Sequence, residues 1–114
     1  MTSCTGDRTL ATAISDACTS ITGNLAIRVT SATSLDGLQG LASVGGNLQI
    51  EYNALLASLD GLQGLTSVGA LLIQSNALLA SLDGLQGLAS VRWVLRIQSN
   101  ALLASLDGLQ GLAS

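Results

Sequence analysis

The stretch SLDGLQGLASVGGNLQIEYNALLA (residues 34–57) recurs almost unchanged along the chain and decides its fold. The second copy, SLDGLQGLTSVGALLIQSNALLA, spans 58–80, and the third, SLDGLQGLASVRWVLRIQSNALLA, spans 81–104. A fourth begins at 105. A fixed period of about 20–29 residues is typical of solenoids, in which each repeat is one coil that buries its apolar face against its neighbours. The sequence therefore predicts a solenoid.

Each repeat contains one strand pattern. Leu48 and Ile50 alternate with polar residues, which is the period-two pattern of a half-buried strand. The equivalent pairs in the other coils are Leu25/Ile27, Leu71/Ile73 and Leu95/Ile97. We expect these strands to stack in parallel about 4.8 Å apart, with Leu on Leu and Ile on Ile inside. The fold class is then mainly β, a single-stranded solenoid.

The residues between these positions form outward-facing columns. The two columns are Ala26, Gln49, Leu72, Arg96 and Arg28, Glu51, Gln74, Gln98. In the second column Arg28 lies opposite Glu51, which predicts a surface ion pair of little energetic weight.

An asparagine follows each strand of the three full repeats, at Asn53, Asn76 and Asn100. A side-chain amide both donates and accepts hydrogen bonds, which suits a buried corner with otherwise unpaired backbone groups. We expect these three side chains to point inward and form a structural ladder from coil to coil.

Asp-Gly pairs predict the turns of the coil. The four aspartates form one column: Asp36, Asp60, Asp83 and Asp107. A cation bound to this column is one interpretation, but each repeat supplies a single acid, so we expect the aspartates to bond their own turns and face water. The following Leu-Gln-Gly-Leu fits one helical turn capped by the Asp, and Gly45-Gly46 fits a tight bend before the strand.

Two cysteines, Cys4 and Cys18, precede the first repeat. They favour a disulfide that ties down an N-terminal cap over residues 1–20, which would imply an oxidising compartment. Free buried thiols are the alternative. A metal site at these cysteines would need further ligands, and the chain has no His and no other Cys to supply them.

The phrase Leu-x-Ile-x-x-Asn-x-x-Leu, preceded by Val-Gly-Gly and followed by Leu-Asp-Gly-Leu, resembles the receptor L domain, a relative of the leucine-rich repeats. Residues 18–27, CTSITGNLAI, resemble the segment of that family in which a cysteine bonded to an earlier one precedes the first strand. The resemblance implies a right-handed single-stranded β-helix and a capping helix over residues 5–17. Either Asp7 or Thr9 could cap that helix. Receptor ectodomains and microbial surface proteins belong to this family, and the near-identical copies are more typical of a microbial repeat protein or a consensus design.

Residues 21–114 are predicted to form four coils of 23–24 residues without a C-terminal cap. The last coil would leave Leu106, Leu109 and Leu112 poorly covered, so we expect another copy of the chain or a further repeat to cover them. A two-fold dimer is the more common outcome for such a contact than a filament. In this coil Arg92, Trp93 and Arg96 are a candidate interface. By strand parity Trp93 lies on the inward side, where it would cover the end of the core.

The composition of the chain argues against several classes of function. Four arginines, no lysine and a net charge of −3 argue against nucleic-acid binding. No apolar run is long enough for a transmembrane segment, and no signal peptide is visible in this chain. Without His, Lys or a close acid pair we expect no enzymatic activity and no cofactor. We expect an extracellular or cell-surface module that recognises a protein or carbohydrate ligand; the alternative is a structural solenoid that self-assembles into fibres or end-to-end oligomers.

Overall fold

The computed structural model of the chain describes residues 3–30, 32–35, 37–82, 84–100 and 102–103. It is mainly β and forms a β-solenoid of about three turns with one short helix. The fold class predicted from the repeat is therefore confirmed. The elements in chain order are β1 (Ser3–Cys4), β2 (Arg8–Thr9), α1 (Leu10–Ser15), β3 (Ser20–Ile21), β4 (Leu25–Arg28), β5 (Ser43–Glu51), β6 (Ser67–Gln74) and β7 (Ser90–Gln98).

Parallel pairing of one strand per coil builds the sheet. Strand β5 pairs with β6, and β6 pairs with β7, while the two short strands β3 and β4 of the first coil both pair with β5. The predicted register is confirmed: Leu48 is the partner of Leu25 and Leu71, and Ile50 is the partner of Ile27 and Ile73. All six of these side chains are fully buried, so identical residues one repeat apart fill successive layers of the core.

A bulge in the strands accounts for the uneven repeat length. The repeat starts are 24, 23 and 24 residues apart. In the register, Gly69 of β6 stands alone opposite the pair Gly45-Gly46 of β5 and, on its other side, opposite the pair 92–93 of β7. The missing residue of the middle repeat is therefore absorbed at Gly69, without any change of register in the Leu and Ile layers.

The same geometry corrects the prediction of a bend at Gly45-Gly46. Strand β5 runs without interruption through both glycines. The amide of Gly46 donates to the carbonyl of Gly23 in the preceding coil (2.9 Å), so this pair stays in the ladder. The glycines are needed here for close approach, because a Cβ on Gly45 would lie 2.6 Å from the carbonyl oxygen of Thr22.

The three Leu-Gln-Gly-Leu segments within the described residues (38–41, 62–65 and 85–88) are turns and not helices. In the first, the amide of Leu38 donates to the carbonyl of Leu35 (3.3 Å) and that of Leu41 to the carbonyl of Leu38 (2.9 Å), giving two successive four-residue turns. All three leucines are buried. The prediction of one helical turn was wrong because every third side chain of this segment is drawn into the core.

In the three turns that the structure describes, the glutamine side chain bonds the turn amide. The side-chain carbonyl of Gln63 accepts from the amide of Gly61 (2.8 Å). The same bond joins Gln39 to Gly37 and Gln86 to Gly84, both at 2.7 Å. Asp60 is exposed, whereas the predictions for Asp36, Asp83 and Asp107 lie outside the described residues, as do those for Leu106, Leu109 and Leu112.

The N-terminal segment closes one end of the solenoid. Helix α1 is shorter than the predicted 5–17, because Arg8–Thr9 pair with β4 as strand β2. Its N-cap is Thr9, which forms a capping box with Thr12. The carboxylate of Asp7 instead accepts from the amide of Asn24 (2.8 Å).

The disulfide fastens this cap to the first coil. Cys4 and Cys18 are bonded to each other and are both buried. Strand β1, which contains Cys4, pairs with β3, and β2 pairs with β4. The strands of the first coil, β3 and β4, are therefore covered at this end by two strands of two residues each.

We expect the intact mass of the unreduced protein to be lower than that of the reduced protein by two hydrogens. Reduction should also destabilise the cap, by about 3 kcal/mol for a loop of this size. Mass spectrometry with alkylation, followed by denaturation of the reduced and oxidised forms, measures both effects. Two thiols that alkylate without reductant would contradict the bond.

Candidate binding edge and the ladders beside it

The three predicted ladder asparagines are brought together in one buried column. The side-chain nitrogen of Asn53 donates to the carbonyl of Ile27 (2.8 Å) and to the side-chain oxygen of Asn76 (3.0 Å). The same oxygen accepts the backbone amide of Asn53 (3.2 Å). Asn76 repeats this pattern with Asn100, with both bonds at 3.1 Å. Each asparagine thus satisfies backbone and side-chain groups of two coils.

A fourth rung, Thr30, is absent from the sequence prediction. Its amide and hydroxyl both donate to the side-chain oxygen of Asn53, at 3.1 and 2.8 Å. Thr30 lies 23 residues before Asn53, so the repeat spacing was the signal that could have found it. A hydroxyl suffices there because this first rung only has to donate to the next coil.

The residue before each rung adopts the left-handed conformation. These residues are Val29, Tyr52, Ser75 and Ser99, with φ between 52° and 59°. The conformation is costly for side chains other than glycine. It is held by forward hydrogen bonds, such as that from the amide of Tyr52 to the carbonyl of Gln74 (3.2 Å). No residue type is shared by the four positions, so the sequence carries no signal for this feature.

A second polar ladder runs along the outer face of the sheet. Arg28 forms an ion pair with Glu51 (2.9 Å). The other carboxylate oxygen of Glu51 accepts from Gln74 (3.0 Å), and Gln74 accepts in turn from Gln98 (2.7 Å). The predicted surface ion pair is therefore partly wrong, because Glu51 is only 5% exposed. Its neighbours above and below cover it and supply the donors that replace water.

Strand β7 is the open edge of the sheet. It pairs with β6 on one side, and no strand lies on its other side within the described residues. Leu95, whose equivalents in the preceding coils are fully buried, is 42% exposed for this reason. An unpaired strand edge presents free N–H and C=O groups to any chain that can pair with them.

The candidate interface residues Arg92, Trp93 and Arg96 all lie on this open edge. Trp93 is 63% exposed, as is the inward-facing Leu95 of the same strand at 42%, so the inward orientation of Trp93 stays a prediction. Its ring lies against Gly69 of the preceding coil. The guanidinium of Arg92 lies 5.7 Å from the centre of the indole ring, a cation–π contact.

Two of the four arginines form ion pairs and two do not, within the described residues. Arg8 bonds Asp16 (3.1 Å) and Arg28 bonds Glu51. Within the described part of the chain, Arg92 and Arg96 have no acidic partner, and both are exposed on β7. The open edge therefore carries positive charge on a chain whose net charge is −3.

One group of metal-ligating atoms lies elsewhere, at the cap. The sulfurs of Cys4 and Cys18 lie within 4.8 Å of a carboxylate oxygen of Asp16. Because both sulfurs are joined in the disulfide, they are not thiolates and do not provide metal ligands. Asp16 itself is engaged by Arg8.

Comparison of the chain with protein-family models, with curated proteins and with solved structures finds no match in any of the three. Among the described residues, no helix has the length and apolar character needed to cross a bilayer.

Proposed function

We propose that the chain is a non-enzymatic extracellular repeat module that recognises a protein ligand. The observation that carries this proposal is the edge of β7, where Trp93 and two arginines without acidic partners among the described residues are exposed together. Trp and Arg are the residues most enriched at binding hot spots. A disulfide-fastened cap is compatible with an oxidising, extracellular setting, and the resemblance to the receptor L domain supports the same function.

The alternative is a structural role, in which copies associate through β7. The exposed side chains of Trp93, Val94 and Leu95 favour it, because they leave one layer of the core in contact with solvent. At the opposite end the edge is formed by β1 and β2, two strands of two residues each, so a coil stacked there would have fewer backbone groups to pair with than at β7. This alternative would take the form of head-to-tail filaments, whereas a two-fold dimer through β7 would be a closed oligomer.

Sedimentation velocity at several protein concentrations, combined with electron microscopy, separates the two. A recognition module is expected to sediment as a monomer or a small closed oligomer and to show no filaments. Growth of filaments with concentration, abolished by Trp93→Ser, would contradict the proposal and establish the structural role.

A further inference from the structure

We infer that the ligand of β7 is an extended peptide segment that adds to the sheet as a further strand and carries carboxylates facing Arg92 and Arg96. This inference rests on the recognition function proposed above and names the chemistry of its partner. It arises from three features of one strand: its unpaired backbone edge, its exposed apolar side chains and its unpaired positive charges.

The unpaired backbone selects a strand as the partner. Strands β5 and β6 have hydrogen-bonded neighbours on both sides, whereas in the described part of the chain β7 has one on a single side. An extended peptide that pairs with such an edge gains main-chain hydrogen bonds, and its alternate side chains determine specificity. The nine residues of β7 are long enough to pair with a whole peptide strand.

Two donors beside the strand extend this edge. In the preceding coils the amide and the side-chain nitrogen of each ladder asparagine donate to the asparagine of the next coil. Asn100 is the last rung within the described residues, and its side chain also bonds the carbonyl of Ile73. By the pattern of the preceding rungs, its backbone amide and the second hydrogen of its side-chain nitrogen would donate to the equivalent position of an added strand, where a carboxylate or amide oxygen would accept them.

The charges select acidic side chains on that strand. Arg92 and Arg96 are four residues apart, about 13 Å along an extended chain. Carboxylates four residues apart on the added strand would match this spacing. Charge-assisted bonds from arginine to carboxylate are stronger than bonds between neutral groups.

The same charges disfavour a second copy of the chain as the occupant. Pairing β7 with its two-fold equivalent would bring four arginines to one seam with no acidic side chain of β7 to balance them, and like charges across strands are destabilising. Charged side chains on edge strands are a known protection against self-pairing. Binding of an acidic strand would relieve this repulsion.

Trp93 reports on this site directly, because it is the single tryptophan of the chain. The probe is the capped peptide Ser-Val-Glu-Val-Thr-Val-Glu-Val-Ser, whose two glutamates are four residues apart. The matched control replaces both glutamates by glutamine. We expect the acidic peptide to shift the Trp93 emission with saturation and to bind at least about tenfold more tightly than the neutral peptide. At about 0.5 M salt, where the Debye length falls to about 4 Å, this preference should shrink.

Variants of the protein test the same contact from its other side. Arg96→Gln and Arg92→Gln should each weaken binding of the acidic peptide by about tenfold and leave the affinity for the neutral peptide unchanged. Arg8→Gln changes the net charge equally but lies at the capped end, so it should leave binding unchanged. Circular dichroism of each variant checks that the fold is retained.

Three results would overturn the inference. They are equal binding of the two peptides, no saturable response to either, and a concentration-dependent dimer of the free protein that buries Trp93. A monomer that ignores both peptides would refute this ligand while leaving the recognition function standing. Filaments in the absence of peptide would refute the recognition function itself.

Discussion

Replacing Asn76 by leucine is expected to destabilise the solenoid by about 3–5 kcal/mol. The side chain is fully buried and takes part in four hydrogen bonds with three other residues. Leucine of similar size would leave the carbonyl of Ile50, the amide and side-chain nitrogen of Asn53 and the oxygen of Asn100 without this partner. A loss of this size is a large fraction of the stability of a small domain.

The matched control for this variant is Asn47→Ala. Asn47 lies on the same strand stack, but its partner in the next coil is already Ala70. We expect a change within about 0.5 kcal/mol for this substitution. Urea denaturation of both variants measures the difference. Equal stabilities would mean that the asparagine column does not hold the coils together.

Replacing Gly84 by alanine is the second change with a large expected effect. Gly84 is buried with φ +112°, a conformation that side chains rarely adopt. A Cβ there would overlap the backbone carbonyl of Leu59 and lie 3.1 Å from the amide nitrogen of Asp60. Because the obstacle is backbone of the neighbouring coil, we expect a loss of about 3 kcal/mol or more. The melting temperature should fall by about 10 °C or more.

Gly40→Ala is the control, because Gly40 occurs in the same repeated phrase without these constraints. A Cβ on Gly40 would lie 3.9 Å from the nearest atom, a methyl group of Thr19, which is ordinary contact. We expect thermal denaturation to show no loss of stability for this variant. If Gly84→Ala had the same melting temperature as Gly40→Ala, the close stacking of the turns would be refuted.

The layers of the core could be predicted from the sequence because they depend on local alternation repeated at a fixed spacing. Leu48 and Ile50 identify the buried face, and the repeat places them on their equivalents. The buried position of Asn76 could be predicted in the same way, because an asparagine recurs after each strand and its amide can bond the backbone of the neighbouring coils. These inferences did not require the packing of side chains from one coil against the next.

Features that depend on the neighbouring coil could not be predicted in this way. The burial of Glu51 comes from Arg28 and Gln74 on the strands beside it. The exposure of Trp93 and Leu95 depends on whether a further coil covers β7, and none does within the described residues. At the candidate site, the sequence located the arginines and the tryptophan, but only the packing showed that both arginines lack an acidic partner there.

Amide hydrogen exchange followed by NMR tests the central claim, that the solenoid is closed at the cap and open at β7. Amides throughout β5 and β6 should exchange slowly, because both edges of these strands are paired. In β7, amides that face β6 should exchange slowly and the alternating amides that face outward should exchange fast. Uniformly slow exchange along β7 in the monomeric protein, or fast exchange in β5 and β6, would contradict the account.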